Sequence, residues 1–477
     1  MIVRILLLLV VSSSALDRYV HMDLKEYFKR SLQLFSKLGA TGVVIEWEDM
    51  FPLSGILSSA SHGNAYSVAD VVGILEYAKH INLTVIPLIQ TFGHAEWILK
   101  TALFSPLREN ANYSNVFCIG NDATKDILTD MIGQVASIHA AVGPMPFFHI
   151  GADEALIKPG VCEEDMEVMR LLNTTDPKIL VFHHLQAMAM AIQNEYPDTK
   201  VLAWFDEFKG VEAELMEEYE LTERIVPVVW KYWPTSLDKA LPDDMWNNLS
   251  DAFPTAWGAS AFKGANGANQ FDNAITPYVA NNELWNEMIA KQRVKFNESI
   301  SAIIITGWQS QYPSLISIPS LFSFSDEDAT FISSALSCPP STGLVQLFAG
   351  NDSCLYPGYQ VRSTIRELTK LYSDFKNYNY IHNLENGWWG HSQQEKHYGS
   401  RYYLESLTTQ YSKNLAKLEK IIDKIKNTFD AIYFSETSTE FINDRVLPFK
   451  ERLSNSITEM SRTIQRHSFH PRPIFRI

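Results

Sequence analysis

Along the first two thirds of the chain, short apolar runs rich in β-branched residues alternate with stretches whose apolar positions recur every three or four residues. That alternation predicts parallel strands joined by crossover helices. Eight runs read as strands, at 19–23, 42–46, 84–89, 147–151, 201–205, 226–230, 255–259 and 303–307. Several are apolar almost throughout, as strands covered on both faces require. Between them, 24–38 places Phe28, Leu32, Phe35 and Leu38 on one helical face before Gly39. Ser67 and Asp70 have capping-box spacing ahead of Val71, Leu75 and Ala78, and Asp122 opens a helix carrying Leu128, Met131, Ile132, Val135 and Ile138. Eight such units over roughly three hundred residues predict an α/β fold of the (β/α)8 TIM-barrel class with loop insertions. A doubly wound sheet would call for a glycine-rich phosphate turn after the first strand, and Met22-Asp23-Leu24-Lys25 has none. Periodicity fades from 326 to 360, where Pro, Gly and Ser accumulate as in a linker or extended loop. From 361 to 477 the pattern is helical again. Leu404, Leu407, Tyr411, Leu415, Leu418, Ile422, Ile425 and Phe429 form one stripe, and a second helix is predicted over 440–465. Together they predict an antiparallel hairpin that packs within the chain, with a homodimer contact as the other use of its apolar face.

Composition changes this picture little. The 477 residues are 12% aromatic, with 11 Trp and 20 Tyr, and carry a net charge of −15. With no long basic run, nucleic acid is excluded as a partner. No cofactor motif is present, and neither His-x-His nor His-Glu-x-x-His occurs, so no metal is expected.

The N-terminus has the pattern of a secretory leader. Arg4 precedes the apolar run 5–11, and Ser13 and Ala15 hold the small-residue positions for cleavage after Ala15. The same run has the composition of a buried barrel strand. On the leader reading, the barrel occupies 16–325, no membrane contact persists after processing, and the protein is secreted or lysosomal. Sequons at Asn82, Asn112, Asn173, Asn248, Asn297 and Asn351 accord with export. So does an even count of 4 cysteines, which permits two disulfides. Cys338 and Cys354, close in sequence, form the first expected bridge, leaving Cys118 with Cys162.

Chemistry in a TIM barrel sits where strands end. The fourth run passes from Phe147 and Phe148 into His149-Ile150-Gly151-Ala152-Asp153-Glu154, an apolar strand leading straight to two adjacent acids. Loop acids capping a helix would explain that pair alone. The other ends, however, carry His21 and Asp23, Glu46 to Asp49, His94, Trp204 with Asp206 and Glu207, Trp230 with Tyr232 and Trp233, Trp257, and Trp308 with Gln309. Acids, histidines and tryptophans gathered on one rim describe a sugar pocket, in which flat indole faces stack on pyranose rings and carboxylates bind hydroxyls.

The run 149–154 resembles the His/Asn-x-Gly-x-Asp-Glu signature of family 20 glycoside hydrolases. The stretches 20–25, 45–52, 91–94, 259–264 and 306–309 resemble the hexosaminidase D branch of that family, in the expected order. The resemblance implies exo-cleavage of terminal β-linked N-acetylhexosamine by substrate-assisted retention, in which the substrate's 2-acetamido oxygen is the nucleophile. It implies Glu154 as general acid and base, and Asp153 as the group that orients the acetamido N–H and stabilises the cationic intermediate. Trp204, Trp230 and Trp308 would wall the acetamido group and the ring, with core packing as the other use of each. Tyr232 would donate to the acetamido oxygen, His94 and His149 would hydrogen-bond the acids, and His21, Asp23, Glu48 and Asp206 would bind hydroxyls. The first strand end lacks the Arg that many members use to hold sugar hydroxyls, which leaves N-acetylgalactosamine and N-acetylglucosamine both open. Two other readings stand beside this one. One is an ordinary two-carboxylate retaining glycosidase with Glu48 or Glu207 as nucleophile, and the other is a non-catalytic glycan-binding barrel.

Overall fold

The computed structural model describes residues 4–10, 25–155, 157–233, 237–263, 275–307, 358–381, 389–397 and 399–466. The chain divides into two compact units, Met1–Pro357 and Gly358–Ile477.

The first unit is a closed parallel barrel. Its staves are β1 (Arg4–Val10), β2 (Gly42–Glu46), β3 (Thr84–Leu88), β6 (Phe147–His149), β7 (Lys200–Trp204), β8 (Ile225–Trp230), β9 (Ala256–Lys263) and β10 (Ile300–Gly307). A small antiparallel ribbon, β4 (Arg108–Asn110) with β5 (Tyr113–Phe117), lies in the connection after β3. Seven staves coincide with predicted runs to within a few residues. The eighth stave comes from outside the eight predicted runs. The run expected to be the apolar core of a leader is β1, paired in parallel with β10 from Arg4↔Ala302 to Leu9↔Gly307 and with β2 from Leu6↔Gly42 to Val10↔Glu46. The predicted strand at 19–23 lies outside the described residues, as do His21, Asp23 and Trp308, the Cys338–Cys354 bridge and Asn351.

Strand side chains alternate faces, so every second residue of a stave points into the barrel. Val44, Ile86, Leu88, Leu202, Trp204, Val226, Val228, Trp257, Ala259, Ala302 and Ile304 fill that interior, with Phe147 and Trp230 packed against them. The same parity that turns Val44 and Leu202 inward turns Glu46 and Trp204 inward. Polar and aromatic side chains at the last inward positions therefore become the floor of the barrel mouth.

The crossover helices follow their sequence signals. Ser67 and Asp70 form the predicted reciprocal capping box on the helix Val68–His80. The helix Asp122–Val142 is capped by Asn121, one residue earlier than expected, because its side chain reaches the N–H of Ala123. The Cys118–Cys162 bridge is present and joins the connection after β3 to that after β6. Asn82, Asn112, Asn173 and Asn297 are exposed, whereas the Asn248 amide donates to the Val211 carbonyl at 2.7 Å.

In the second unit the expected hairpin is a set of three long helices, Tyr359–Ile381, Arg401–Phe429 and Leu447–Ile464. The predicted stripe on the middle one is buried at Leu404, Leu407, Tyr411, Leu418, Ile425 and Phe429. The helix predicted from 440 is broken into Ser435–Phe441, a π-helical turn at Ile442–Val446, and Leu447–Ile464. Pro448 lacks the N–H that an unbroken helix would use, and the wider turn absorbs the defect. Nearby, the Tyr372 hydroxyl donates to the Arg445 carbonyl.

Candidate active site

Beyond β6 the backbone turns sharply. Gly151, Ala152 and Glu154 all have positive φ, at 72, 75 and 38°, a conformation that non-glycine residues adopt at an energetic cost and that clusters at functional sites. The turn is clamped from both sides. Thr91 donates its N–H (3.2 Å) and its hydroxyl (2.8 Å) to the Ile150 carbonyl, Ile150 donates to Leu202, and Trp204 donates to the Gly151 carbonyl at 2.8 Å. The result sets Asp153 and Glu154 apart in environment. The Asp153 side chain is only 9% exposed, while Glu154 is 50% exposed. Asp153 Oδ1 is buried with no hydrogen-bond partner, an arrangement that is costly unless a ligand completes it.

Two glycines make this packing possible. A Cβ on Gly93 would lie 2.6 Å from the Asp153 carbonyl oxygen, so only glycine lets the loop after β3 run against the acid pair. A Cβ on Gly151 would lie 1.9 Å from Gln90 Oε1 and 3.0 Å from its Cα. Gly151→Ala is therefore expected to move the acid pair and lower kcat/KM on the order of 100-fold. Gly133→Ala, in a helix with open space around it, is expected to leave activity unchanged and raise stability by about 0.5–1 kcal/mol. Parallel turnover and thermal denaturation of the two variants check this pair.

The Gly93 approach delivers His94, itself at φ 52°, to the acids. Its Nε2 lies 3.4 Å from Asp153 Oδ2 and 3.8 Å from Glu154 Oε2. Burial alone would depress the imidazole, but the charge and hydrogen bond of Asp153, with Glu96 and Glu46 behind it, outweigh that and raise its pKa to about 10. The histidine is thus a cation wedged between the two carboxyl groups. Glu46, inward-facing at the end of β2, completes the cluster. Burial and the Asp153 charge push its pKa up to about 8, partly offset by His94 and a hydrogen bond from Gln90. Glu46 ends a predicted strand, and its inward parity was the available signal, but the rim reading passed over it in favour of Glu48.

On the far side, the Trp230 indole N–H donates to Asp206 Oδ2 at 2.6 Å, and its ring stacks on Tyr232 with centroids 5.0 Å apart and planes inclined by 22°. Burial drives the Asp206 pKa to about 7, with Asp153 and Glu154 adding to the effect against the Trp230 hydrogen bond. Asp206, Trp230 and Tyr232 therefore assemble as one half-buried wall, electrostatically joined to the acid pair. Glu48 lies on the turn after β2 at φ 46° beside a narrow crevice that Glu46, Gln90 and Trp97 also line.

Two expected contact residues sit deeper than their assigned roles require. Trp204 is fully buried in the barrel core, its alternative use. His149 is also fully buried, its ring centroid 4.4 Å from that of Trp204. Its Nδ1 accepts the Gly151 N–H at 3.0 Å, so the neutral ring carries its proton on Nε2. Burial lowers its pKa to about 3. His149 holds the turn that aims the acids, and the Asp153 charge reaches its ring.

These titrations fix the direction of stability with pH. Glu46 and Asp206, raised from 4.5 and 3.8 to about 8 and 7, hold protons in the folded state that the unfolded chain releases. Their contribution is fully present below the unfolded values and is lost as pH rises through 7–8. His94 adds to that loss between 6.5 and about 10. His139, His149 and His184, lowered from 6.5 to about 3, 3 and 4, act oppositely, and their contribution is lost as pH falls below 6.5. The trends oppose each other between 3.8 and 6.5. Tm is expected to peak in that window and decline on both sides, as a calorimetric pH series would show.

A parallel barrel whose mouth presents a sequestered carboxylate beside a solvent-facing one, with an indole wall joined to them through the Asp206 charge, defines a glycoside hydrolase. The catalytic-domain model of glycosyl hydrolase family 20 matches residues 19–245. Hexosaminidase D of Bos taurus is 33% identical over 301 residues, covering 61% of this chain and 84% of the relative, and Hexosaminidase D of Homo sapiens is 32% identical over 301 residues, covering 61% and 60%. The chain belongs to glycosyl hydrolase family 20. In fold it is similar to the Flavobacterium johnsoniae chitobiase structure, with a TM-score of 0.50 at 14% identity over 96% of this chain and 72% of that one.

Proposed function

We propose that the protein is an exo-acting β-N-acetylhexosaminidase that removes terminal β-linked N-acetylgalactosamine or N-acetylglucosamine from glycoconjugates by substrate-assisted retention. The observation that carries this reading is the buried, unpartnered Oδ1 of Asp153 beside the half-exposed carboxyl of Glu154. A carboxylate oxygen with no donor of its own is matched by the N–H of a 2-acetamido group. Binding that N–H turns the acetamido oxygen toward the anomeric carbon, where it attacks as the bond to the aglycone breaks. Glu154, in solvent contact, gives its proton to the departing oxygen and then takes one from the water that opens the cyclic oxazolinium intermediate. Asp153 balances the positive charge of that intermediate. The wall of Trp230, Tyr232 and Asp206 supplies a stacking face and a polar edge for the sugar.

Paired assays on aryl N-acetyl-β-glucosaminide and N-acetyl-β-galactosaminide, against the matching aryl β-glucoside and β-galactoside, test this mechanism. Cleavage confined to the acetamido sugars, and inhibition by an N-acetylglucosamine thiazoline, are expected. Equal cleavage of sugars lacking the acetamido group would point instead to a protein nucleophile such as Glu48 or Glu207. The exposed asparagines at 82, 112, 173 and 297 support an exported, glycosylated protein. The intact mass of the protein from a eukaryotic host reports both their glycans and whether residues 1–15 are retained.

A further inference from the structure

We propose that Glu109, Cys118, Cys162 and Asp165 become, on reduction of the Cys118–Cys162 bridge, a four-ligand site for a divalent cation of zinc's chemistry. One ligand atom from each lies within 4.8 Å of all the others. They come from separate places: Glu109 on β4, Cys118 just beyond β5, and Cys162 and Asp165 at the start of the helix Glu163–Leu171. Glu109 is 1% exposed and Asp165 is fully buried. Among the described residues no Lys, Arg or His pairs with either. Two buried acids without a cation are costly, and both are held in place as ligands are. Glu109 Oε1 accepts the N–H groups of Val161 (2.6 Å) and Cys162 (3.3 Å), and Asp165 accepts those of Gly120 (2.6 Å) and Gly160 (3.1 Å). Backbone donors of this kind orient carboxylates in metal sites. The other Glu109 oxygen, Oε2, is buried and receives no N–H, and the Glu109 and Asp165 carboxyl groups hydrogen-bond each other, so they share a proton where a cation would sit.

In the oxidised protein the sulfurs are bound to each other and offer no thiolate to a cation. Reduction by a thiol donor moves two electrons and two protons onto the sulfurs as two R–SH become R–S–S–R. The two protons leave when the thiolates take the cation. Two thiolates and two carboxylates form a tetrahedral donor set for zinc, with edges of roughly 3.3–3.8 Å, so the freed sulfurs move apart while the widest separations of the present cluster, up to 4.8 Å, close by about an ångström. The site would replace one staple with another across the same two loops. β5 also supports the His94 loop, because Ala95 donates to the Asn115 carbonyl (3.2 Å) and Phe117 to the Phe92 carbonyl (3.1 Å). The helix at 163–171 follows the acid pair.

The test uses the full chain, stripped of metal, with one half kept oxidised and the other reduced by a water-soluble phosphine, which takes an oxygen from water as it cleaves the bridge. Each half is equilibrated with Zn2+ without air, desalted and assayed for zinc by atomic emission. About one equivalent is expected on the reduced chain and none on the oxidised chain, with the reduced chain's Tm raised by the metal. Glu109→Gln and Asp165→Asn should each weaken binding on the order of 10-fold or more. Should those variants misfold, Co2+ on the reduced wild type gives an independent reading through a thiolate-to-cobalt charge-transfer band and intense tetrahedral d–d bands. Zinc retained equally in both redox states, a reduced chain that unfolds or binds none, wild-type affinity in both acid variants, or cobalt without thiolate bands would each overturn the proposal. None of these readings uses glycosidase activity, so the site and the proposed reaction stand or fall separately.

Discussion

Glu154→Gln is expected to lower kcat/KM for aryl N-acetyl-β-hexosaminides by about 10²–10⁴-fold with little change in Tm. The side chain is half exposed, and its nearest charged neighbour is His94 Nε2 at 3.8 Å, so an isosteric amide disturbs little packing. The variant keeps a hydrogen-bond donor and loses a transferable proton. The size of the loss should depend on the leaving group. An aryl oxygen that departs readily needs little protonation, whereas an alkyl or sugar oxygen needs a great deal. Plotting the mutant-to-wild-type ratio against leaving-group pKa should give a steep line. A flat line would deny Glu154 the role of acid.

Asp153→Asn is expected to cost about 10²–10³-fold in kcat, less dependent on the leaving group because the lost interaction is with the acetamido group and its cationic intermediate. It should also leave a spectroscopic trace. The Asp153 charge raises the pKa of His94, Glu46 and Asp206 alike. Removing it should shift His94 most, downward from about 10 toward the usual imidazole range, because Asp153 is its main raising partner, whereas burial keeps Glu46 and Asp206 above ordinary carboxyl values. NMR titration of His94 in the variant reads this directly. An imidazole that still titrates near 10 would show that Asp153 is not its main partner.

Much of this architecture was legible because barrel strands covered on both faces leave an unmistakable apolar signature, and seven of the runs became staves. β1 was not, for a physical reason. An unbroken apolar run behind one Arg satisfies both a membrane-inserting leader and a buried strand, and its pairing with β2 and β10 joins residues distant in sequence, which the run itself does not announce. The acid pair was legible because two carboxylates directly after an apolar strand have few structural uses. Side-chain depth was not. Trp204 and His149 lie near strand ends, as pocket residues do, yet inward parity and a core one layer deep seal them beneath the mouth. The glycines at 93 and 151 stood within matched motifs, but their reason is steric contact with Asp153 and Gln90, which are close only in space. The same holds for the cluster around Cys118 and Cys162, whose members share no local spacing.

The pairing of β1 with β10 also bears on how the chain is made. Residues 4–9 meet residues 302–307, so the ring stays open until nearly three hundred further residues have left the ribosome. Until then β1 can pair only with β2, and its other edge is unsatisfied. A nascent chain in that condition is a natural client for chaperones, and slow, sequence-distant closure of this kind is the step at which synthesis at high temperature should begin to yield aggregates.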